Sequence, residues 1–176
     1  MGWKTFKDHY RIGHTVAFFE GEGFCIGSGY IHGIIVINPD SKSITTCRSC
    51  SPPDFSNDDL SRYWREIHTN LDLMWSLLAA DDEFEKALPV YTYKGGSVVE
   101  CACEEYGYPN VTHDGQLMYD NMFFELESDA RAAGIRNAQA GVENLESAVD
   151  RTERDLAELF KQLSQYRFDL AKLSST

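Results

Sequence analysis

Four cysteines have the types and spacing that could bind a metal. Cys47 and Cys50 are separated by two residues, and Cys101 and Cys103 by one. Each pair resembles half of a four-sulfur zinc site, in which thiolates hold a tetrahedral ion. However, C-x-C is the less usual half-site, and alternate residues of a strand share one face, which suits a buried apolar pair equally well. We therefore expect idle or buried thiols and no cofactor; a zinc site, or a redox role for Cys47 and Cys50, is the alternative.

The cellular location of the protein determines the expected redox state of these cysteines. The sequence has five cysteines, an odd number, and the N-terminus lacks the apolar core of a signal peptide. No apolar run approaches the ~18 residues that a membrane-spanning helix needs. We therefore expect a cytoplasmic protein, in which cysteines are free thiols or metal ligands rather than bridges.

Other residues that could do chemistry lack a matching local signature. Cys25 could act as a nucleophile with His14 or His32 as its base, but no family motif surrounds it. The glycine-rich stretch CIGSGYIHG has neither the lysine nor the strand–loop–helix context of a phosphate-binding loop. The sequence therefore predicts that the protein is not an enzyme.

Charge is the strongest compositional feature. The net charge is −12, and residues 51–125 contribute −11 of it, from four bases and fifteen acids. A polyanion such as nucleic acid should not bind directly to so acidic a protein. The acidity can serve solubility alone, or it can form a face for a basic protein partner.

If the charge serves recognition, the carboxylates that matter should be held on regular structure, because they then lose less entropy on binding. The seven residues expected to form a partner-binding face are Asp58, Asp59, Glu66, Asp72, Glu100, Glu104 and Glu105.

The elements that would position these residues can be read from the pattern. The first fifty residues contain three short runs typical of strands, TVAFFEG, FCIGSGYI and GIIVINP. A helix is expected over residues 57–79 with Ser56 as N-cap, followed by a hairpin that turns at Gly95-Gly96. The fold class is therefore α+β, an antiparallel sheet with one packed helix, and residues 1–125 form an acidic globular domain.

Residues 126–176 have a different pattern, that of a long coiled-coil helix. With Ile135 at heptad position a, twelve a and d positions follow in strict spacing, and only Thr152 among them is polar. The apolar seam expected to drive oligomerisation comprises Ile135, Val142, Leu145, Val149, Leu156, Leu159, Leu163, Tyr166, Leu170 and Leu173.

The seam favours self-association as a homodimer, because a helix of this length exceeds the width of its own domain. Packing on the same chain and pairing with a foreign helix are the alternatives. Valine at a with leucine at d favours a parallel dimer at the N-terminal end. Few complementary charges stand at e and g, so they give no clear orientation.

One resemblance suggests a biological setting. The stretch YGYPNVTHDGQLMYDNMFFE, with the small-residue helix and heptad tail after it, resembles uncharacterised small proteins encoded by bacteriophages, as does the opening GWKTFKDHYRIGHTV. The resemblance implies an accessory protein, made in a bacterial host, that binds and blocks a host protein such as a defence or nucleic-acid-binding factor. A phage assembly protein, or a protein that sequesters a nucleotide signal near GSGYIHG, is the alternative.

Overall fold

The computed structural model describes residues 1–47, 55 and 57–174 of the chain. Ten elements follow in order: α1 Trp3–His9, β1 Thr15–Phe19, β2 Gly23–Gly27, β3 Ile35–Asn38, β4 Ser43–Thr46, α2 Asp58–Thr69, α3 Leu71–Ala79, β5 Leu88–Lys94, β6 Ser97–Cys103 and α4 Glu127–Ser174. The fold class is α+β, as the sequence predicts. Two compact units result, Met1–Arg131 and Ala132–Thr176.

The larger sheet is an antiparallel meander in the order β1-β2-β3-β4. Its buried face carries Val16, Ile26, Ile35 and Ile37, each fully buried. Gly23 has a positive φ of 104°, and a Cβ there would lie 2.4 Å from the carbonyl oxygen of Ile37, so only glycine fits between these strands. The fourth strand, β4, was not expected, because its sequence SITT is too short and polar to form a strand pattern.

Helix α1 was also missed by the sequence analysis. It has no side-chain cap of its own. Instead the carboxylate of Asp82 accepts hydrogen bonds from the N–H groups of Lys4 (3.1 Å) and Thr5 (2.7 Å). These are first-turn donors that lack partners within a helix. The cap comes from 77 residues further along the chain, so no local signal could reveal the helix.

The helix expected over residues 57–79 is two helices that meet at Asn70. The side chain of Asn70 accepts a hydrogen bond from the N–H of Leu73 and so caps α3. Asparagine competes with the helical hydrogen-bond ladder in this way, which explains why the apolar stripe continues while the helix does not. The N-cap of α2 is Asn57, whose side chain accepts from Asp59 and Leu60; the expected cap, Ser56, lies outside the described residues.

The predicted hairpin is present as β5 and β6. Gly95 and Gly96 both have positive φ, at 58° and 81°, as a two-residue turn between twisted strands requires. A small core of Val90, Cys103 and Met118 packs against this hairpin. The main core is separate and is formed by α1, α2, α3 and the meander.

Helix α4 is continuous for 48 residues. It passes through Gly134 and Gly141 without a break, as the expected long C-terminal helix requires. Ala130 near its start is fully buried, whereas every described residue from position 135 onward is exposed. No helix in the described part of the chain is both long enough and apolar enough to cross a membrane.

Candidate interaction surfaces

The heptad seam of α4 is open to solvent in the single chain. The ten large apolar side chains predicted to mediate oligomerisation, from Ile135 to Leu173, are between 43% and 78% exposed. Because 3.6 residues make one turn, these side chains form one stripe along the helix. An apolar stripe of this length in water is unfavourable and fits a partner helix.

The single polar residue of the seam does not break it. Thr152 stands at a d position, and its hydroxyl donates to the carbonyl oxygen of Ala148 at 2.9 Å. The hydroxyl is therefore already hydrogen-bonded within its own helix and would stay so if a partner helix excluded water.

Four of the seven predicted partner-binding carboxylates lie on α2 and α3, and all four are exposed. Asp59 and Glu66 both pair with Arg62, at 3.6 Å and 3.0 Å. Arg62 also donates to the carbonyl oxygens of Tyr10 and Arg11, so it joins α2 to the end of α1. The negative charge of Asp59 and Glu66 is therefore partly compensated within the chain.

The other two carboxylates of this group, Asp58 and Asp72, make no ion pair with the residues that the structure describes. Both stand in the first turn of a helix, where the helix dipole favours a negative charge. Both are exposed and so remain accessible to a partner.

The remaining three carboxylates belong to β6 and the turn after it. Glu100 and Glu105 are exposed, whereas Glu104 is half-buried. Glu104 accepts a hydrogen bond from the Lys4 ammonium at 2.8 Å and another from the N–H of Glu85 at 2.7 Å. Glu104 thus holds the N-terminal helix to the hairpin and is engaged within its own unit.

The contact between Lys4 and Glu104 shifts the pKa values of both side chains. Burial of the Glu104 carboxyl raises its pKa, but the hydrogen bonds from Lys4 and Glu85 outweigh burial and hold the pKa below its usual value. The hydrogen bond from Glu104 raises the pKa of Lys4 above its usual value, although burial opposes it. Both groups therefore stay charged across the neutral range.

Aromatic rings surround the Lys4–Glu104 pair. The Lys4 ammonium lies 5.2 Å from the centre of the Phe84 ring, and this ring stacks on His113 with centres 3.7 Å apart. The indole N–H of Trp3 donates to the carbonyl oxygen of His113. Residues from four distant parts of the chain meet here, so sequence spacing could not reveal the cluster.

Three of the four candidate zinc ligands lie among the described residues, namely Cys47, Cys101 and Cys103. Cys47 is disulfide-bonded, which contradicts the expectation that the cysteines lack bridges. Cys50 lies outside the described residues. Cys101 is half-buried and Cys103 buried, and burial is the main cause that raises the pKa of both thiols. No group of three or more potential ligands gathers in the described part of the chain.

The suggested nucleophile and its bases have other contacts. Burial, with a smaller contribution from Glu22, raises the pKa of Cys25 to about 12, which keeps the thiol protonated. His14 stands edge-on to Tyr63, and His32 stacks on Phe19. A protonated thiol is a poor nucleophile, and the Cys25 side chain is buried within β2.

The loop between β2 and β3 contains the GSGYIHG stretch, the site of the alternative hypothesis that the protein sequesters a nucleotide signal. Tyr30 is 97% exposed there, and Ser28 fixes the loop by accepting hydrogen bonds from the N–H groups of Tyr30 and Ile31. Below it, Tyr108 donates a short hydrogen bond to the carbonyl oxygen of Gly29. The amides of Tyr30 and Ile31 are therefore used within the loop, and the Tyr30 side chain is presented to solvent.

A cleft of about 700 Å³ lies beside β1 and the β5–β6 hairpin. Phe18, Phe19 and Val99 are among its apolar walls. Asp114 also lines it, but its carboxylate accepts hydrogen bonds from Thr112 and Gln116. The cleft therefore offers mainly apolar contact.

In comparisons with known proteins, no family model matches the chain, and no curated protein or solved structure shows significant similarity to it. The two features of the chain that bear most directly on function are the α4 seam and the exposed acidic residues.

Proposed function

We propose that the chain is a non-enzymatic accessory protein of bacteriophage or prophage origin that binds and blocks a basic host protein. Two copies join through α4, and the acidic α+β unit makes the contact with the partner. The phage setting is suggested by the sequence resemblance alone. The observation that carries the proposal is the exposed heptad seam of α4.

The energy available in the seam supports self-association. Burying the exposed half of each of ten large apolar side chains should contribute about 1 kcal/mol apiece, or about 20 kcal/mol for two chains. Association costs roughly 4–15 kcal/mol in lost translational and rotational freedom. The seam is therefore long enough to leave a net stabilisation.

Charge supports a basic partner for the α+β unit. Within the face predicted above, four carboxylates make no ion pair with any residue that the structure describes: Asp58, Asp72, Glu100 and Glu105. Such charges accelerate association with an oppositely charged surface, and the effect is screened beyond about 8 Å at physiological ionic strength. Exposed single pairs contribute only about 0.2–1 kcal/mol, so several must act together.

The test is capture of binding proteins from a bacterial lysate with the full chain and two charge-reversed variants. The first variant is Glu100→Lys/Glu105→Lys, on the proposed face. The control is Glu143→Lys/Asp150→Lys, which changes the net charge equally on the outer side of α4.

We expect a basic protein to be retained by the parent and by the control at low salt, and to be lost from the first variant and at high salt. Equal retention by all three proteins, or retention that salt does not alter, would contradict a charge-based contact. Failure of the parent to self-associate would contradict the role of α4 separately.

A further inference from the structure

We propose that the two α4 helices pair antiparallel, with Leu156 opposite Leu159 of the partner subunit. This inference rests on the proposed self-association, and it replaces the parallel arrangement that valine at the a positions favours. The occupant of the seam is a second copy of this chain. Charges compared between e and g positions give no orientation, but charges compared between e positions alone select the antiparallel direction.

The e positions contain the informative residues. They are Glu146, Glu153, Phe160 and Arg167 in four successive heptads, and all four are exposed. Neither Glu153 nor Arg167 forms an ion pair within the described part of the chain, whereas Glu158 on the outer side of the helix pairs with Lys161. Charges beside the seam are therefore available to a partner helix.

In a parallel pair, the charged e residues would have no opposite charge beside them. In parallel coils a g residue faces the e residue of the following heptad on the other helix. Asp155 would then face Phe160 of the partner subunit, and Gln162 would face the partner's Arg167. None of the g positions from 134 to 169 places an opposite charge beside an e residue in this arrangement.

An antiparallel pair brings e positions together instead. Side chains on a helix lean toward its N-terminus, so e residues of opposed helices lean toward each other. With Leu156 opposite the partner's Leu159, Phe160 meets Phe160 of the partner subunit at the centre of the paired segment. On each side of this contact, Glu153 of one helix faces Arg167 of the other. The Phe160 contact explains why an apolar residue stands outside the a and d positions.

The core layers agree with this register. Val149 faces the partner's Tyr166, and Thr152 faces the partner's Leu163, so the single polar position never meets itself. Among the a and d positions, only Ile135 and Ala138 lie outside the segment that the two helices share. Gly134 and Gly141 already weaken the helix in that region.

A shift by one heptad would include Ile135 and Ala138 but would place Asp155 against Asp155 of the partner subunit. That like-charge contact is destabilising. The paired segment, residues 142–173, is about 47 Å long at 1.5 Å per residue.

The test exchanges the two charges in the full chain. Glu153→Arg places like charges opposite each other twice per dimer, and Arg167→Glu does the same. We expect each single variant to raise the dimer dissociation constant about tenfold, or about 1.4 kcal/mol. The double variant Glu153→Arg/Arg167→Glu should return it to the parental value.

Mixing the two single variants gives a second measurement. Each heterodimer contains two attractive pairs, so native mass spectrometry should show heterodimers in excess over both homodimers at low salt. The matched control is Glu146→Arg, at another e position, which Arg167→Glu should not rescue.

Two results together would overturn the antiparallel orientation. The effects of Glu153→Arg and Arg167→Glu on the dissociation constant would be additive in the double variant, and the mixed single variants would form heterodimers only in the statistical proportion. If Arg167→Glu restored the parental dissociation constant in combination with Glu146→Arg, and not with Glu153→Arg, the proposed register would be wrong. A parent that is monomeric would overturn the proposed self-association itself, which the other outcomes leave intact.

Discussion

The contact between Lys4 and Glu104 provides a sharp test of how the α+β unit is held together. The perturbation is Glu104→Gln, which removes the charge but keeps an oxygen able to accept both hydrogen bonds. The two side chains are only 20% and 27% exposed, and their atoms lie 2.8 Å apart. A charged hydrogen bond in such a site contributes more than an exposed ion pair, about 1–2 kcal/mol.

The effect should depend on pH in a defined direction. The pKa of Glu104 is lowered in the folded state, so the contact stabilises the fold above the carboxyl's ordinary pKa, about 4.3. That stabilisation is lost as the pH falls through the lowered pKa of the folded state. At neutral pH the variant should therefore unfold more easily than the parent, and the difference should shrink under acidic conditions.

Urea denaturation followed by tryptophan fluorescence is a suitable assay. The three tryptophans, Trp3, Trp64 and Trp75, all belong to the unit Met1–Arg131, so the signal reports on this unit alone. Lys4→Met should destabilise the fold to a similar extent, and the double variant should cost less than the sum of the two. Equal stability of Glu104→Gln and the parent at neutral pH, or fully additive single effects, would refute the reasoning.

Three further predictions concern the other parts of the structure. Asp82→Ala should lower the free energy of unfolding by about 1 kcal/mol, because it removes the only cap of α1 found in the described residues, and unchanged urea midpoints would contradict this. Leu159→Asp should dissociate the dimer by placing a charge at a central d position, whereas Ala157→Asp, on the outer side of α4, should not; light scattering separates the two results. Since burial raises the pKa of Cys101, its alkylation by iodoacetamide at mildly alkaline pH should be slower in the folded than in the denatured chain, and equal rates would show an accessible thiolate.

The sequence predicts best where the signal is local and periodic. The α4 heptads, the hairpin at Gly95-Gly96 and three strands of the meander each depend on a short pattern, and all are present. The break at Asn70 was missed because an apolar stripe continues through it, and a side-chain cap overrides the periodicity there.

The features that sequence reasoning missed depend on distant contacts. Helix α1 needs Asp82 to cap it, and Glu104 is occupied by Lys4, a hundred positions away in the chain. Only the folded structure distinguishes Glu104 from its exposed neighbours Glu100 and Glu105. Charge counts therefore identified an acidic region correctly but could not sort its members into structural and accessible carboxylates.

Self-association through α4 is the central claim, and sedimentation equilibrium on the full chain tests it most directly. The measurement should be made over a range of concentrations, with the chain mass of 20.0 kDa as reference. We predict a reversible equilibrium that approaches twice this mass at micromolar concentration and above, as an exposed seam of ten large apolar residues requires. A mass of 20.0 kDa at every concentration would contradict the account.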